Sequence, residues 1–342
     1  MKTRYVEKEK YIKDSWPDVE GLAFRYYQDH SDHQHLLDVF NDCKDLDGVD
    51  YTMTLDEIGN HYRHIERCNL KTDMIFVEVD GKVIAYARVG WYPEREGDRI
   101  YYSLGVLRKD WRRKGIGTAI QTFCENRLLE IAAEHPQDCK EYFQLDYNKN
   151  QLGRAHLAKD FGYQEVRWGY EMDRPINVPL PEVAIPEGLE VRPVPESEYR
   201  TVFDAQNEAF RDHWGHVDAT DKDYQRFISE PTFNPDLWKV AWDGDQVAGM
   251  VLNFVNDPEN KEYNRKRGYT EYISVRRPYR RKGLAKYLVV QSIKMFKEMG
   301  MEETALGVDA DNPNHALNLY EGVGYQTRKT WITCRKPFPG QS

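Results

Sequence analysis

A chain of 342 residues has room for two domains, and 40% hydrophobic residues can fill two sizeable cores. Charged residues make up 31%, the formal net charge is −9, and no apolar run approaches the roughly 18 residues of a membrane span. That balance disfavours a membrane protein and a nucleic-acid binder, and is compatible with a cationic substrate or simply with solubility. Five cysteines (Cys43, Cys68, Cys124, Cys139 and Cys334) include no C-x-x-C pair. A disulfide framework or zinc site is therefore not expected, and a reducing cytoplasm fits. Residues 1–11 are charged and lack the apolar core of a secretory signal.

Residues 21–27 read as a strand, followed by helices over 33–44 and 54–67. The second begins at a Thr54 cap with Glu57 at capping-box spacing. Asp80-Gly81 joins two β-rich runs, 74–79 and 82–89, as a hairpin. A strand over 100–107 precedes a helix whose apolar stripe is Ile116, Ile120, Phe123, Cys124, Leu128 and Ile131. A strand (141–147), a helix (151–161) closed by Gly162, and a strand (164–172) complete the first domain, 1–173. Residues 174–188 contain Pro175, Pro179, Pro181 and Pro186 and read as a semi-rigid linker.

The order then repeats in a second domain, 189–342. Strand 189–194 is followed by helices over 196–210 and 221–229, and by a hairpin over 237–255 turning at Asp243-Gly244. Strand 269–275, helix 283–299, strand 304–308, helix 313–321 and strand 330–334 follow. Asp80-Gly81 and Asp243-Gly244 are 163 residues apart, Gly115 and Gly283 168, and Gly162-Tyr163 and Gly324-Tyr325 162. A period this long indicates duplicated domains.

Each half holds a basic, glycine-containing turn between strand and helix: Arg112-Arg113-Lys114-Gly115-Ile116-Gly117-Thr118, and Arg280-Arg281-Lys282-Gly283-Leu284-Ala285-Lys286. Unpaired N–H groups at a helix start attract an anion, and glycine admits it to the backbone. Neither turn is a nucleotide P-loop or a Rossmann G-x-G-x-x-G; the plainer alternative is a basic turn ahead of a helix.

The pattern Arg/Gln-x-x-Gly-x-Gly/Ala, five residues after a strand ending at Leu107 or Val275, resembles the acetyl-CoA loop of the GNAT (GCN5-related) N-acetyltransferases. Asn314-x-Ala316-x-x-Leu319-Tyr320-x-x-x-Gly324-Tyr325 resembles that family's second motif. The resemblance covers about 21–173 and 189–336, and the tandem layout is similar to the mycothiol synthase type. It implies an α/β fold of two tandem domains, each a mixed, mainly antiparallel sheet flanked by helices. It also implies acetyl-CoA as acyl donor and no metal. The loop backbones would hold the pyrophosphate, Leu107 and Val275 would offer main-chain bonds to the pantetheine arm, and Asn314 would contact CoA.

Some family members carry a base at the position of Glu271, four residues before Val275. Period-2 alternation would put the two on one face, and a solvated strand carboxylate is the alternative. Tyr320 falls where the family's general acid sits, with a core tyrosine as the alternative. The first half has Ser103 and Ala158 at these places. It is thus expected to be catalytically degenerate, with chemistry in the second half. His213 and Trp214, in the stretch Phe210 to His216, would meet the acceptor or pack as an aromatic loop. His30, His33, His35, His61 and His64 lack the carboxylate or cysteine pattern of a metal site. The expected activity is direct acetyl transfer to a small-molecule primary amine, with neither nucleic acid nor membrane as partner. A non-catalytic acyl-CoA sensor and an aminoacyl-transferring relative are the rivals.

Overall fold

The computed structural model describes residues 6, 16–311 and 316–340. The chain divides into two compact units, Met1–Arg167 with Trp331–Ser342, and Trp168–Thr330. In chain order the first contains β1 (Leu22–Tyr26), α1 (Asp32–Cys43), α2 (Leu55–Arg63), α3 (Leu70–Asp73), β2 (Met74–Val79) and β3 (Lys82–Pro93). It continues with β4 (Arg99–Leu107), α4 (Ile116–Ala132), β5 (Glu141–Asn148) and α5 (Leu152–Asp160). Strand β6 (Gln164–Pro175) enters the second unit at residue 168. There follow β7 (Glu190–Val191), α6 (Tyr199–Phe210), α7 (Asp221–Ile228), β8 (Lys239–Asp243), β9 (Gln246–Val255) and α8 (Asp257–Glu262). Then come β10 (Arg267–Val275), α9 (Leu284–Glu298), β11 (Glu303–Asp309), α10 (Ala316–Glu321) and β12 (Gln326–Pro337), which returns to the first unit at residue 331. No helix among the described residues is long and apolar enough to cross a membrane.

The local chemistry forms these elements as the sequence suggests. Glu57 N donates to Thr54 Oγ1 at 3.2 Å, and Thr54 N donates to the Glu57 carboxylate at 2.8 Å, a closed capping box. Asp80 and Gly81 both take positive φ, 49° and 78°, as the twist of a two-residue hairpin requires. In the first unit the strands run β1-β2-β3-β4-β5-β12, antiparallel except for β4 with β5. Phe76 and Tyr86 pack with Leu36, Val39 and Ile58 of α1 and α2. Ala87 and Gly105 lie on the opposite face, near Ile120 of α4. In the second unit the order is β6-β11-β10-β9-β8-β7, antiparallel except for β10 with β11. One face buries Leu284, Leu288, Ile293 and Phe296 of α9; the other buries Val202 and Ala205 of α6. Met299, the last residue of the helix read from the sequence, is exposed just beyond its last turn.

The division differs from the reading of 174–188 as a linker between 1–173 and 189–342, for two physical reasons. Residues 331–337 of β12 pair with β5 of the first unit, and residues 169–175 of β6 pair with β11 of the second. The proline-rich stretch is also anchored by a fully buried arginine, Arg174. Arg174 Nε donates to Val323 O at 2.7 Å, and Nη1 to Pro175 O at 2.9 Å and Ile176 O at 3.3 Å. Nη2 donates to Val178 O. Prolines lack the N–H groups of a ladder, so one guanidinium with five donors satisfies the carbonyls they leave over.

Candidate active site

The parallel pairing of β10 and β11 lasts only from Arg267↔Glu303 to Tyr269↔Ala305; beyond it the strands fork. On its other edge β10 pairs with β9, and the register slips between Glu271↔Leu252 and Ser274↔Met250. Three steps on β10 against two on β9 make a β-bulge, and within it Tyr272 takes a φ of 49°. The bulge interrupts the alternation assumed for Glu271 and Val275. Both still line one cleft, because the fork bares the edge of β10. Gly307 N of β11, having no ladder partner on β10, donates to Glu271 Oε1 at 2.9 Å.

That cleft, of about 650 Å³, is where the second loop and the proton-transfer candidates meet. Val275, Arg280, Arg281, Gly283, Leu284, Ala285 and Lys286 line it, as do Glu271, Tyr320 and His213. Lys282 and Trp214 are not among the lining residues, and Asn314 lies outside the described residues. Arg281 (φ 61°) and Gly283 (φ 83°) turn the backbone into α9. A side chain at 283 would strain that conformation, although nothing stands within 4 Å of its Cβ position. The open space over the helix start suits a bulky anion. Arg280 has a different duty: its Nε donates to Val275 O at 2.9 Å, Nη1 to Asp212 at 2.5 Å and Nη2 to Ala209 O at 3.0 Å. Arg277 and Arg280 hold the Asp212 carboxyl well below the usual range.

Burial, opposed by the Gly307 N–H and reinforced by the nearby Glu171 charge, pushes Glu271 up to about 7. The Tyr320 phenol is raised by burial first, then by the charge of Glu271. Its ring meets Tyr325 edge-on at 6.2 Å, and its hydroxyl has no protein hydrogen-bond partner among the described residues. His213 is lowered by burial and lies 4.4 Å from the Phe210 ring. Of the other histidines, His33 Nε2 is 3.2 Å from Tyr27 Oη, and His64 Nδ1 is 3.0 Å from Asn60 O. Among the described residues no group of three or more His, Cys, Asp or Glu is placed to hold a metal.

The first unit repeats the turn but not the cleft wall. Arg113 (φ 65°) and Gly115 (φ 80°) have the same backbone, and Arg112 Nε donates to Leu107 O at 3.0 Å while its other nitrogens grip Asp47. Lys114 lies over Trp111, and Ile116, Gly117 and Thr118 open α4. Strand β4, however, pairs with β3 from Arg99 to Leu107 without a bulge. The fork beyond Tyr102↔Gln144 is bridged by Arg154 of α5, which donates to Ser103 O at 3.1 Å, Gly105 O at 2.8 Å and Asp146 O at 2.8 Å. Aligned on Gly162 and Gly324, Arg154 falls at Ala316, which lines the cleft of the second unit. Ser103 lies 3.5 Å from Gln121, and Ala158 is buried. Sequence reasoning missed Tyr272, Gly307 and Arg154, and it read Asp212 as part of the acceptor stretch, not as the partner of Arg277 and Arg280. Only Arg154 left a signal, the swap of a small residue for a large cation at one repeat position.

A mixed sheet whose parallel strand pair is followed by a basic, glycine-containing turn and a helix, present twice, is a tandem acetyltransferase-like architecture. The description "Acetyltransferase (GNAT) family" matches residues 34–163 and again 199–325, and the chain belongs to that family. It is 27% identical over 267 residues to a mycothiol acetyltransferase of Geodermatophilus obscurus, across 77% of this chain and 82% of that protein. It is 36% identical over 127 residues to L-ornithine N5-acetyltransferase NATA1 of Arabidopsis thaliana, across 34% of this chain and 54% of that protein. Among solved structures, a GCN5-related N-acetyltransferase from Sphaerobacter thermophilus superposes with a TM-score of 0.69 at 22% identity, covering 93% and 96% of the two chains.

Proposed function

We propose that the chain transfers the acetyl group of acetyl-CoA to a primary amine of a small molecule, in the cleft of the second unit. The observation that carries this is the convergence of Glu271, Tyr320 and the turn 280–286 on one cleft. The amine acceptor is supported by the L-ornithine N5-acetyltransferase relative. Backbone N–H groups from Arg281 to Lys286 hold the pyrophosphate. The Glu271 carboxylate takes a proton from the ammonium, directly or through a water. The freed nitrogen attacks the thioester carbonyl, the C–S bond breaks, and Tyr320 passes its proton to the departing thiolate; the second proton that the nitrogen sheds as the amide forms returns to the Tyr320 oxygen. Raising the base from 4.5 to about 7 removes about 3 kcal/mol of its mismatch with an amine. His213 and Phe210 bound the acceptor end.

Glu271 acts only when ionised, so kcat/KM rises with pH through about 7 and its Glu271 limb then levels off. Glu271→Gln removes that limb. A wild-type profile flat between pH 5.5 and 8.5 sinks the base assignment. The same shift has a stability sign. The native carboxyl holds its proton to higher pH than the unfolded one, so Glu271 withdraws stability as pH rises from about 4.5 to about 7.

With Arg154 in its fork, the first unit does not admit a pantetheine arm. Calorimetric titration of the whole chain with acetyl-CoA returns one site, and Gly283→Val abolishes it. Two sites, or heat surviving in Gly283→Val, would assign donor binding to the first unit. Release of CoA thiol over a panel of primary amines tests the reaction itself, and absence of turnover with every amine refutes it.

A further inference from the structure

We propose that the first unit carries a binding site for a carboxylate-bearing small molecule, seated on Arg88 between Tyr62, Cys68 and Tyr102. Arg88 stands on β3, opposite Met74 and Leu104, and only 5% of it is exposed. Two of its nitrogens, Nε and Nη1, are buried without a hydrogen-bond partner, and no carboxylate among the described residues pairs with it.

The other buried arginines are compensated. Arg25 grips Asp32 and Glu78, Arg335 grips Glu94, Arg267 grips Glu303, and Arg174 is wrapped in carbonyls. Arg88 has two ring faces, Tyr62 at 5.4 Å and Tyr102 at 5.9 Å, and the neutral thiol of Cys68 beside it, but no anion. Such faces return about 0.5–2 kcal/mol, whereas desolvating an ion costs several. The surroundings are hostile to charge, since burial pushes both the Tyr62 phenol and the Cys68 thiol up to about 12. An uncompensated guanidinium in that setting is one half of an ion pair.

The chemistry of the missing half follows from the box. One planar cation between aromatic faces matches one planar, singly charged carboxylate on an apolar body. A phosphate dianion would be left half neutralised. Tyr62, Cys68, Tyr102 and Leu104 are each partly exposed, so the residues around Arg88 border the solvent. The acyl-transfer cleft belongs to the other unit, and neither assignment depends on the other.

The test uses the full chain. Thermal unfolding is followed against sodium acetate, succinate, benzoate and phenylalanine, each matched by sodium chloride at equal ionic strength. At least one carboxylate raises Tm in a saturable way beyond chloride, as a ligand specific to the native state must, and Arg88→Met abolishes the rise. In plain buffer Arg88→Met melts several degrees above the wild type, because it deletes an unpaired buried cation. No carboxylate-specific rise in the wild type, or an equal rise in Arg88→Met, overturns the site. If Arg88→Met does not fold, crystals soaked in 4-bromobenzoate decide: an anomalous bromine peak beside Arg88 supports the site, and its absence overturns it.

Discussion

Tyr320→Phe lowers kcat by about 10²–10⁴-fold and leaves the Kd for acetyl-CoA nearly unchanged. The substitution removes one oxygen that no protein group among the described residues bonds. It keeps the ring that packs against Tyr325 and the buried wall of α10. Nothing in the fold therefore depends on the hydroxyl, and Tm should stay within a degree or two of the wild type. The turn 280–286 is untouched, so donor binding persists. What disappears is the proton that meets the leaving thiolate. The phenol's raised pKa keeps it protonated through the neutral range, the form an acid needs. Single-turnover measurement of CoA release at saturating amine reads the effect, and unimpaired release removes Tyr320 from the mechanism.

Arg174→Met lowers the unfolding free energy by about 3–5 kcal/mol, judged from about 1–3 kcal/mol for each buried polar group left unpaired. The side chain is fully buried and its donors go to carbonyls, with no carboxylate to relieve. Methionine fills much of the volume but satisfies none of Val323, Pro175, Ile176 or Val178. Against a typical total of about 5–15 kcal/mol this is a large fraction. Urea unfolding of the purified chain measures it. A midpoint within about 0.3 M of the wild type, roughly 0.3–0.9 kcal/mol at usual slopes, contradicts the anchoring role.

The repeat, the two turns and the paired hairpins were legible because each is written locally. A left-handed glycine, an Asp-Gly pair and a 3.6-residue stripe are short-range statements, and the structure places them as read, from Asp80-Gly81 to the α4 face. Three features were not legible. The bulge at Tyr272 arises because β10 must serve an antiparallel neighbour on one edge and leave a parallel one on the other. No residue type announces it. Arg154 is legible only by comparing repeats, since its partners are backbone carbonyls of β4 and β5. The division of the chain failed because prolines report local stiffness, whereas strand partnership is decided by distant segments. Residues 174–188 look like a tether until the buried guanidinium of Arg174 is seen.

The pairing of β12 with β5 also sets a timetable. Thr333 meets Asp146 across 187 residues of sequence, so the outer edge of β5 stays unpaired while nearly the whole second half is made. An open edge of that kind invites strands from other molecules. During synthesis the first unit thus carries one open strand edge until β12 is made. A gene cut at the proline-rich stretch yields two fragments, each short of one strand. Mixed together, they should rescue one another by exchanging the missing pieces, a complementation that truly independent domains would not need.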